Sequence, residues 1–150
     1  MGLKIKNTKR TKKKRKNTKK YYDRRVKLLK KKCWNAMSLY VRKRDNYTCF
    51  TCGATKGRMN AGHFIHGKLD YDEININCQC SHCNLYLSGN GAVYAIKLIK
   101  KYGQEVVDDL FERAKKPQKY DEQQLIKIYN DIQSKLINLI NKQDPSQVLL

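Results

Sequence analysis

Four cysteines of the chain form two pairs with the same spacing. Cys49 and Cys52 are separated by two residues, as are Cys80 and Cys83, and 27 residues lie between the pairs. A two-residue spacer lets both sulfurs of a pair face one ion, and two such pairs complete the tetrahedral shell of four thiolates that Zn²⁺ prefers. The spacing therefore predicts a zinc site formed by all four cysteines. A four-thiolate shell leaves no open position on the metal, so this zinc is expected to be structural.

Three further residues with metal-binding side chains are expected to lie outside this zinc site. Cys78 precedes Cys80 by two positions in a predicted strand, so it shares a face with Cys80 and is interpreted as a packed thiol near the site. His82 lies inside the second cysteine pair and is expected to point outward. Cys33 lies in a predicted helix, where a free cysteine usually behaves as a small buried hydrophobe.

Polar residues between and beside the cysteine pairs have the chemistry that phosphodiester hydrolysis requires. His63 ends a predicted strand in AGHF, Asn75 begins the next strand after YDEI, and Asn84 follows the last cysteine. A neutral imidazole can accept a proton from water at neutral pH, and amide and carboxylate oxygens are ligands that Mg²⁺ prefers. Asp72 and Glu73 are the nearest carboxylates. Each residue alone also has an ordinary interpretation as a packing, cap or loop residue.

Together these residues resemble the HNH, or ββα-metal, nucleases, and more specifically the NinG/Rap family of phage recombination endonucleases. The motifs that carry the resemblance are AGHF, YDE-x-N, QC-x2-CN and LSGN, within roughly residues 39–110. The resemblance implies a ββα-metal module that cleaves branched DNA, such as a Holliday junction, a flap or a D-loop, with Mg²⁺ or Mn²⁺.

Under this resemblance, His63 is expected to be the general base. Asn75 would hold the loop or the imidazole in orientation, and Asn84 would bind the catalytic metal. Many HNH proteins carry a metal-binding aspartate just before the histidine, but this chain has Gly62 there. A carboxylate must then come from elsewhere, and Asp72 or Glu73 is the expected replacement, with no preference between them.

The positive charge of the chain is concentrated at its N-terminus. The chain has 33 Lys and Arg against 13 Asp and Glu, and residues 1–32 contain 17 of the basic residues and one of the acidic ones. Residues 1–24 are predicted to be a disordered basic tail that attracts DNA by releasing counterions, with acidic lipid or simple solubility as alternatives. Tyr21 and Tyr22 could stack on exposed bases. The expected DNA contacts are Lys12, Lys13, Lys14, Arg15, Lys16, Arg24, Arg25 and His66.

The patterning beyond the tail predicts an α+β fold that is mostly α. A helix at 25–46 leads into the zinc-stapled HNH module at 47–103, and a helical extension follows at 104–150. The last predicted helix is capped by Asp121 and has an apolar stripe, which can pack in the core or pair with a second copy in a homodimer. The stripe comprises Leu125, Ile128, Tyr129, Ile132, Leu136, Leu139 and Ile140.

The sequence also restricts the class of protein. No apolar run reaches the roughly 18–20 residues that span a bilayer, and the N-terminus lacks the apolar segment of a secretory signal. We therefore expect a cytoplasmic protein, in the host cell if a phage encodes it, where disulfides are rare. The competing functions are a non-catalytic zinc-ribbon DNA-binding protein and an HNH homing or restriction enzyme. The first would not need His63, Asn75 and Asn84 together, and the second usually needs a separate recognition domain.

Overall fold

A computed structural model describes residues 9–143, which form helices around a two-stranded sheet. The elements are α1 (Lys9–Arg44), β1 (Met59–His63), β2 (Ile76–Cys80), α2 (Gly91–Tyr102), α3 (Gln104–Lys115) and α4 (Glu122–Gln143). One turn of π-helix at His82–Tyr86, called the π-turn below, follows β2. The predicted α+β class with mostly helical content is confirmed.

The first helix is longer than the sequence analysis predicted. It begins at Lys9 and ends at Arg44, whereas a helix at 25–46 was expected to follow a disordered tail. This corrects the prediction of disorder for residues 9–24. The physical reason is that this segment contains no Gly or Pro and is rich in Lys and Arg, which have favourable helix propensities. Residues 1–8 of the predicted tail lie outside the described residues.

The two strands form an antiparallel hairpin with two different faces. Met59 lies opposite Cys80, and His63 lies opposite Ile76. Because side chains alternate along a strand, the odd-numbered residues of β1 and the even-numbered residues of β2 point to one face, which packs against α1 and α4. The other face carries Gly62 and the buried amides of β2, and it faces α2, where the hydroxyl of Tyr94 donates to the carbonyl of Gly62 at 3.0 Å.

The apolar core on the first face joins α1, the hairpin and α4. The buried residues of α4 in this core, Ile132 and Leu136, belong to the predicted stripe, and Leu125 of the stripe is buried as well. Asp121 caps α4 as predicted: the N–H of Gln124 donates to Asp121 Oδ1 at 2.8 Å, and Gln124 Oε1 accepts from the N–H of Asp121 at 2.9 Å. The stripe therefore packs within the chain, and a homodimer stays a prediction.

A second, smaller core lies between α2, α3 and the loop that connects the strands. It is formed by Tyr94 and Leu98 of α2, Val107 and Leu110 of α3, and Leu69 of the loop. This core fixes the second face of the hairpin against α2, so both faces are covered. Within the described residues, no helix combines the length and apolar character that crossing a membrane requires.

Candidate functional site

The four paired cysteines come together in space as their spacing predicts. Cys49 and Cys52 lie in the turn after α1, Cys80 ends β2, and Cys83 lies in the π-turn. Their four sulfur atoms all lie within 4.8 Å of one another. The cluster therefore joins the segment after α1 to the end of the hairpin, and it can hold a structural metal such as zinc.

The sulfur positions fit a tetrahedral zinc shell. Zn–S bonds of about 2.3 Å place neighbouring sulfurs about 3.8 Å apart, and the sulfurs of Cys52 and Cys80 are 3.7 Å apart. The hydroxyl of Thr51 lies 3.3 Å from the sulfur of Cys49, and the side-chain amide of Asn90 donates to the sulfur of Cys83 at 3.9 Å. Such contacts to the sulfurs orient the ligands and stabilise the thiolate form.

Local hydrogen bonds favour the thiolate form of one cysteine of the cluster. Burial by itself would raise the pKa of Cys49, but the hydroxyl of Thr51 and nearby backbone N–H groups lower it to about 6. Burial raises the pKa of Cys78 to about 11, so this thiol stays protonated at neutral pH. Backbone N–H groups oppose the change, but burial and neighbouring sulfurs raise the pKa values of Cys52 and Cys80 as well, so position and not pKa separates the cluster from Cys78.

The residues expected to lie outside the cluster do so. Cys78 and Cys33 are fully buried, and the sulfur of Cys33 donates to the carbonyl of Leu125 at 3.2 Å. His82 is exposed and stacks on Tyr86 in the π-turn. The cluster among the described residues contains none of the three.

His63 lies at the end of β1, where two neighbours hold its ring. The imidazole stacks on the indole of Trp34 in α1, with ring centroids 4.9 Å apart and planes inclined by 13°. Its Nε2 lies 3.4 Å from Oδ1 of Asp70, too far for a strong hydrogen bond, and Nε2 is otherwise buried without a partner. Burial lowers the pKa of His63, although the carboxylate of Asp70 partly opposes this. The imidazole is therefore neutral at pH 7.

Asn75 holds the loop that follows His63. Its Oδ1 accepts the N–H of Ile65 at 2.8 Å, and its Nδ2 donates to the carbonyl of Lys68 at 3.0 Å. The side chain is fully buried. Of the two roles expected for Asn75, the structure therefore places it in contact with the loop and gives it no hydrogen bond to the imidazole.

Asn84 reaches the hairpin on the face opposite to the His63 ring. It lies in the π-turn, immediately after Cys83, so the cysteine cluster fixes its backbone. Its Oδ1 lies 2.9 Å from the point that a Cβ atom would occupy at Gly62, and Oε1 of Gln79 lies 2.0 Å from the same point. Only a glycine permits this approach, since any Cβ would clash with Gln79.

The structure corrects the expectation that Asp72 or Glu73 replaces the missing aspartate at Gly62. Asp72 accepts the N–H groups of Ile74 and Asn75 through Oδ1 and pairs with Arg113 through Oδ2 at 2.6 Å.

The carboxylate of Glu73 accepts from the hydroxyl of Tyr40 at 2.7 Å and from Lys135. Each carboxylate therefore pairs with a basic side chain of another element, Asp72 with Arg113 of α3 and Glu73 with Lys135 of α4. Among the described residues, neither carboxylate contacts Asn84.

The basic residues expected to bind DNA lie along α1, apart from His66. Lys12–Lys16 are part of this helix, although the contacts of their side chains lie outside what the structure describes. Arg24 is exposed, and Arg25 pairs with Glu122 of α4 and lies over the ring of Tyr21. His66 is exposed in the loop after β1.

A polar groove runs from α1 to the π-turn, past β1. Its volume is about 620 Å³. Trp34, Ser38 and Arg42 line one side, Arg58 and Asn84 lie across from them, and Asp and Glu are absent from the described lining residues. A groove with two arginines and no acid suits a phosphate-containing ligand.

Two residues of this region were missed by reasoning from the sequence. Trp34, which stacks on His63, looked like one more apolar position of a helix. Gln79 looked like a spacer between cysteines, although the alternation of Asn77 and Gln79 with Cys78 and Cys80 was a signal that one face of β2 is polar. Because that face is buried, these amides must find partners inside the protein.

The fold and the site define a small, mostly helical α+β protein organised around a four-cysteine cluster. The chain belongs to the NinG family: the family model described as "Bacteriophage Lambda NinG protein" matches residues 3–142. The resemblance inferred from AGHF, YDE-x-N, QC-x2-CN and LSGN is thus confirmed at the level of the family.

Individual relatives match over part of their length. The chain is 37% identical over 86 residues to Protein ninG of Escherichia phage 933W, which covers 53% of this chain and 43% of that protein. It is 36% identical over 86 residues to Protein ninG of Escherichia phage lambda, covering 53% and 42%. The match thus spans less than half the length of these curated relatives. No solved structure matches the chain.

Proposed function

We propose that this protein is a metal-dependent endonuclease of the HNH type that hydrolyses phosphodiester bonds in branched DNA, with His63 as the general base. The observation that carries the proposal is the state of His63. Its ring stacks on Trp34, but its buried Nε2 lies beside the carboxylate of Asp70 without a strong hydrogen bond. A histidine retained only for packing would be expected to have its buried nitrogen satisfied.

The surroundings of His63 suit proton transfer from water. Asp70 faces Nε2 and favours the tautomer that carries its proton there, so Nδ1 is the nitrogen left to accept one. In the proposed step, the oxygen of a water molecule forms a bond to phosphorus while the bond from phosphorus to the leaving oxygen breaks. The water proton goes to His63, and the leaving oxygen takes a proton from solvent. A divalent cation would supply charge stabilisation at the phosphate oxygens.

The cysteine cluster serves this site as a scaffold and would hold Zn²⁺. It connects the end of β2 to the π-turn and so fixes both Gln79 and Asn84. Asn75 fixes the loop on the other side of His63. The residues of the proposed site are thus held by two separate sets of contacts, which supports preorganisation of the kind that catalysis requires.

The distribution of charge and aromatic side chains supports DNA as the substrate. The N-terminal half of α1 is rich in Lys and Arg, which provide strong and sequence-independent attraction to phosphates. Tyr21 and Tyr22 on the same helix are exposed, at 62% and 44%, and can stack on unpaired bases. Unpaired bases occur in flaps and in the displaced strand of a D-loop, and this favours such branched DNA over a continuous duplex.

The test is cleavage of end-labelled DNA by the zinc-loaded protein in Mg²⁺ or Mn²⁺. The substrates are a four-way junction, a flap and a linear duplex of the same sequence. His63→Phe is the informative variant, since phenylalanine keeps a ring to stack on Trp34 but has no nitrogen. His82→Ala is the matched control, since this histidine is exposed and stacks only on Tyr86.

We expect the wild type and His82→Ala to cut the junction or flap in preference to the duplex. We expect His63→Phe to bind the same DNA and retain zinc without cutting it. Tight binding with no cleavage by the wild type would overturn the proposal and leave a zinc-stapled DNA-binding protein. Cleavage by His63→Phe at the rate of the wild type would show that His63 is not the general base.

A further inference from the structure

Three consecutive apolar side chains of the π-turn, called the exposed tip below, lie on the surface. Leu85, Tyr86 and Leu87 are exposed at 61%, 80% and 46%. Single exposed apolar residues are common on proteins, but a contiguous run of them usually marks a place that another molecule covers. The ring contact described for Tyr86 is with His82, whose ring centroid lies 6.2 Å away, so the ring of Tyr86 stays accessible to a ligand.

The backbone hydrogen bonds of the π-turn hold the exposed tip in place. Cys83 of the cysteine cluster comes just before the tip, and its carbonyl accepts the N–H of Gly89 at 2.9 Å. The N–H of Leu87 donates to the carbonyl of His82 at 3.0 Å. These bonds tie both ends of the tip to the cluster, so the three side chains are displayed by a fixed turn. A preorganised apolar surface loses little conformational entropy when it binds a ligand.

The sequence around the exposed tip carries positive charge and no negative charge. Residues 46–69 and 74–104, which contain both cysteine pairs, both strands, the π-turn and α2, include six Lys and Arg and no Asp or Glu. Asn84, next to the tip in the chain, lines the polar groove together with Arg42 and Arg58. The tip therefore borders a groove that suits phosphates.

An apolar surface in basic surroundings fits nucleic acid better than a second copy of the chain. Bases have apolar faces on which aromatic and aliphatic side chains stack, and the phosphates beside them complement Lys and Arg. A second copy would bring an equally basic surface to the contact, and the like charges would repel each other. In a continuous duplex, the insertion of a side chain must first unstack two bases. At a branch the stack is already interrupted, so the tip meets an open base face without that cost.

We propose that the exposed tip, Leu85, Tyr86 and Leu87, is a wedge that stacks on the bases at the branch point of DNA, while the adjoining groove binds phosphates of the same strand. The wedge makes binding selective for branched DNA, which sequence-independent attraction by Lys and Arg does not. The choice of branched DNA as the ligand rests on the proposed function, but binding of the branch by the tip does not require the DNA to be cut.

The first test measures the affinity of zinc-loaded protein for a labelled flap and for a linear duplex of the same sequence, without Mg²⁺ or Mn²⁺ so that the DNA stays intact. Tyr86→Ala removes the ring from the tip. Ile96→Ala is the matched control, because Ile96 of α2 is an apolar side chain exposed to a similar extent, 66%, outside the tip. We expect Tyr86→Ala to weaken flap binding about fivefold or more and duplex binding less than about twofold, because it removes the stacking of one base. Ile96→Ala should match the wild type on both DNAs.

A second test locates the contact by photocrosslinking of the wild-type protein, so it does not depend on the folding of a variant. The base 5-iodouracil crosslinks to an aromatic side chain stacked on it when it is irradiated. We expect a crosslink to Tyr86 from the branch point of the flap and none from the middle of the duplex. A crosslink from the branch point to Tyr21 or Tyr22 with none to Tyr86 would overturn the proposal, as would equal losses of flap and duplex affinity in Tyr86→Ala.

These outcomes separate the exposed tip from the nuclease. If Tyr86→Ala loses flap affinity selectively but the wild type does not cut the flap in Mg²⁺, the tip stands and the proposed function falls. If the wild type cuts the flap and Tyr86→Ala binds and cuts it equally well, the nuclease stands and the tip is not its contact with the branch. Sedimentation tests the other occupant: if the wild type self-associates, Tyr86→Ala does not and both bind the flap equally, the tip joins two copies and the proposal is overturned.

Discussion

Two neighbouring amides on the same face of β2 meet very different surroundings. Asn77 and Gln79 are both fully buried. Asn77 uses all of its groups: Nδ2 donates to the carbonyl of Ile74 and to the hydroxyl of Tyr94, each at 3.0 Å, and Oδ1 accepts from Arg44 at 2.9 Å. Gln79 uses only its nitrogen, and its oxygen is left without a donor.

The difference shows that burial alone does not explain the unpaired oxygen of Gln79. Asn77 is hydrogen-bonded to an arginine and a tyrosine. Two positions along the strand, the side-chain oxygen of Gln79 receives no hydrogen bond. The part of the face at Asn77 is sealed by Arg44 of α1 and Tyr94 of α2, which both bond to the amide. The part at Gln79 is closed by the amide itself, because its Oε1 lies 2.0 Å from the point that a Cβ of Gly62 would occupy.

The largest effect is expected from the cluster that holds both parts in place. Cys80→Ser should abolish stable metal binding and unfold the hairpin region, because the binding energy of a structural zinc contributes directly to folding. Cys78→Ala removes another buried sulfur, which lies outside the cluster, so this variant should keep one zinc per chain. Zinc content and thermal unfolding of the two variants would check this. Equal zinc content in both would contradict the assignment of the ligands.

The next largest effect concerns the sealed part of the face. Asn77→Ala leaves Arg44 and the hydroxyl of Tyr94 without this buried partner, so the free energy of unfolding should fall by about 3 kcal/mol. Chemical unfolding of the variant and of the wild type measures this change. An unchanged free energy of unfolding would contradict the role assigned to Asn77.

A smaller effect is expected where the two amide oxygens approach the backbone. Gly62→Ala introduces a Cβ that would lie 2.0 Å from Gln79 Oε1, so the strand or the buried glutamine must move. We expect a loss of about 1–3 kcal/mol in the free energy of unfolding. Gly91→Ala is the control, since a Cβ there meets no atom within 4 Å. If the two variants are equally stable, Gln79 does not occupy the space over Gly62.

The smallest effect is expected at Glu73, whose carboxylate is engaged with Tyr40 and Lys135. Burial opposes its ionisation, but hydrogen bonds from Lys135 and Tyr40 outweigh burial and lower its pKa. The stabilisation is therefore present above the unfolded pKa of about 4.3 and is lost as the pH falls through the lower, folded pKa. Glu73→Gln should cost less than about 1 kcal/mol at pH 7, because the pair is partly exposed.

The same variant tests the correction made at Glu73. DNA cleavage by Glu73→Gln should match that of the wild type, and part of the stability loss below pH 4.3 should disappear. Both quantities can be followed with the cleavage assay and with thermal unfolding at several pH values. A large loss of cleavage by the folded variant would show that Glu73 takes part in the reaction.

Features that depend on local spacing could be predicted from the sequence. The four-cysteine cluster, the capping of α4 by Asp121 and the packing of its stripe all follow from two- to four-residue spacings. The length of α1 could not be predicted in this way. Charge and low hydrophobicity indicated disorder, whereas the absence of Gly and Pro and the propensities of Lys and Arg favour a helix.

Features that depend on contacts between distant segments required the structure. Asp72 and Glu73 are close to Asn75 in the sequence, but their partners, Arg113 and Lys135, come from α3 and α4. The role of Gln79 follows from its approach to Gly62 across the hairpin and from a turn ten residues later. The spacing of residues in the sequence does not predict which atom of a buried amide lacks a hydrogen-bond partner.

In the proposed function, His63 takes a proton from water during DNA cleavage. Its most direct test is the single-turnover rate of four-way-junction cleavage by zinc-loaded protein under saturating Mg²⁺, compared among the wild type, His63→Phe and His82→Ala. A general base contributes about 10²–10⁴-fold to such a rate. We predict a loss of that size for His63→Phe, with zinc content and DNA affinity preserved, and no loss for His82→Ala. Equal rates for all three proteins would contradict the claim.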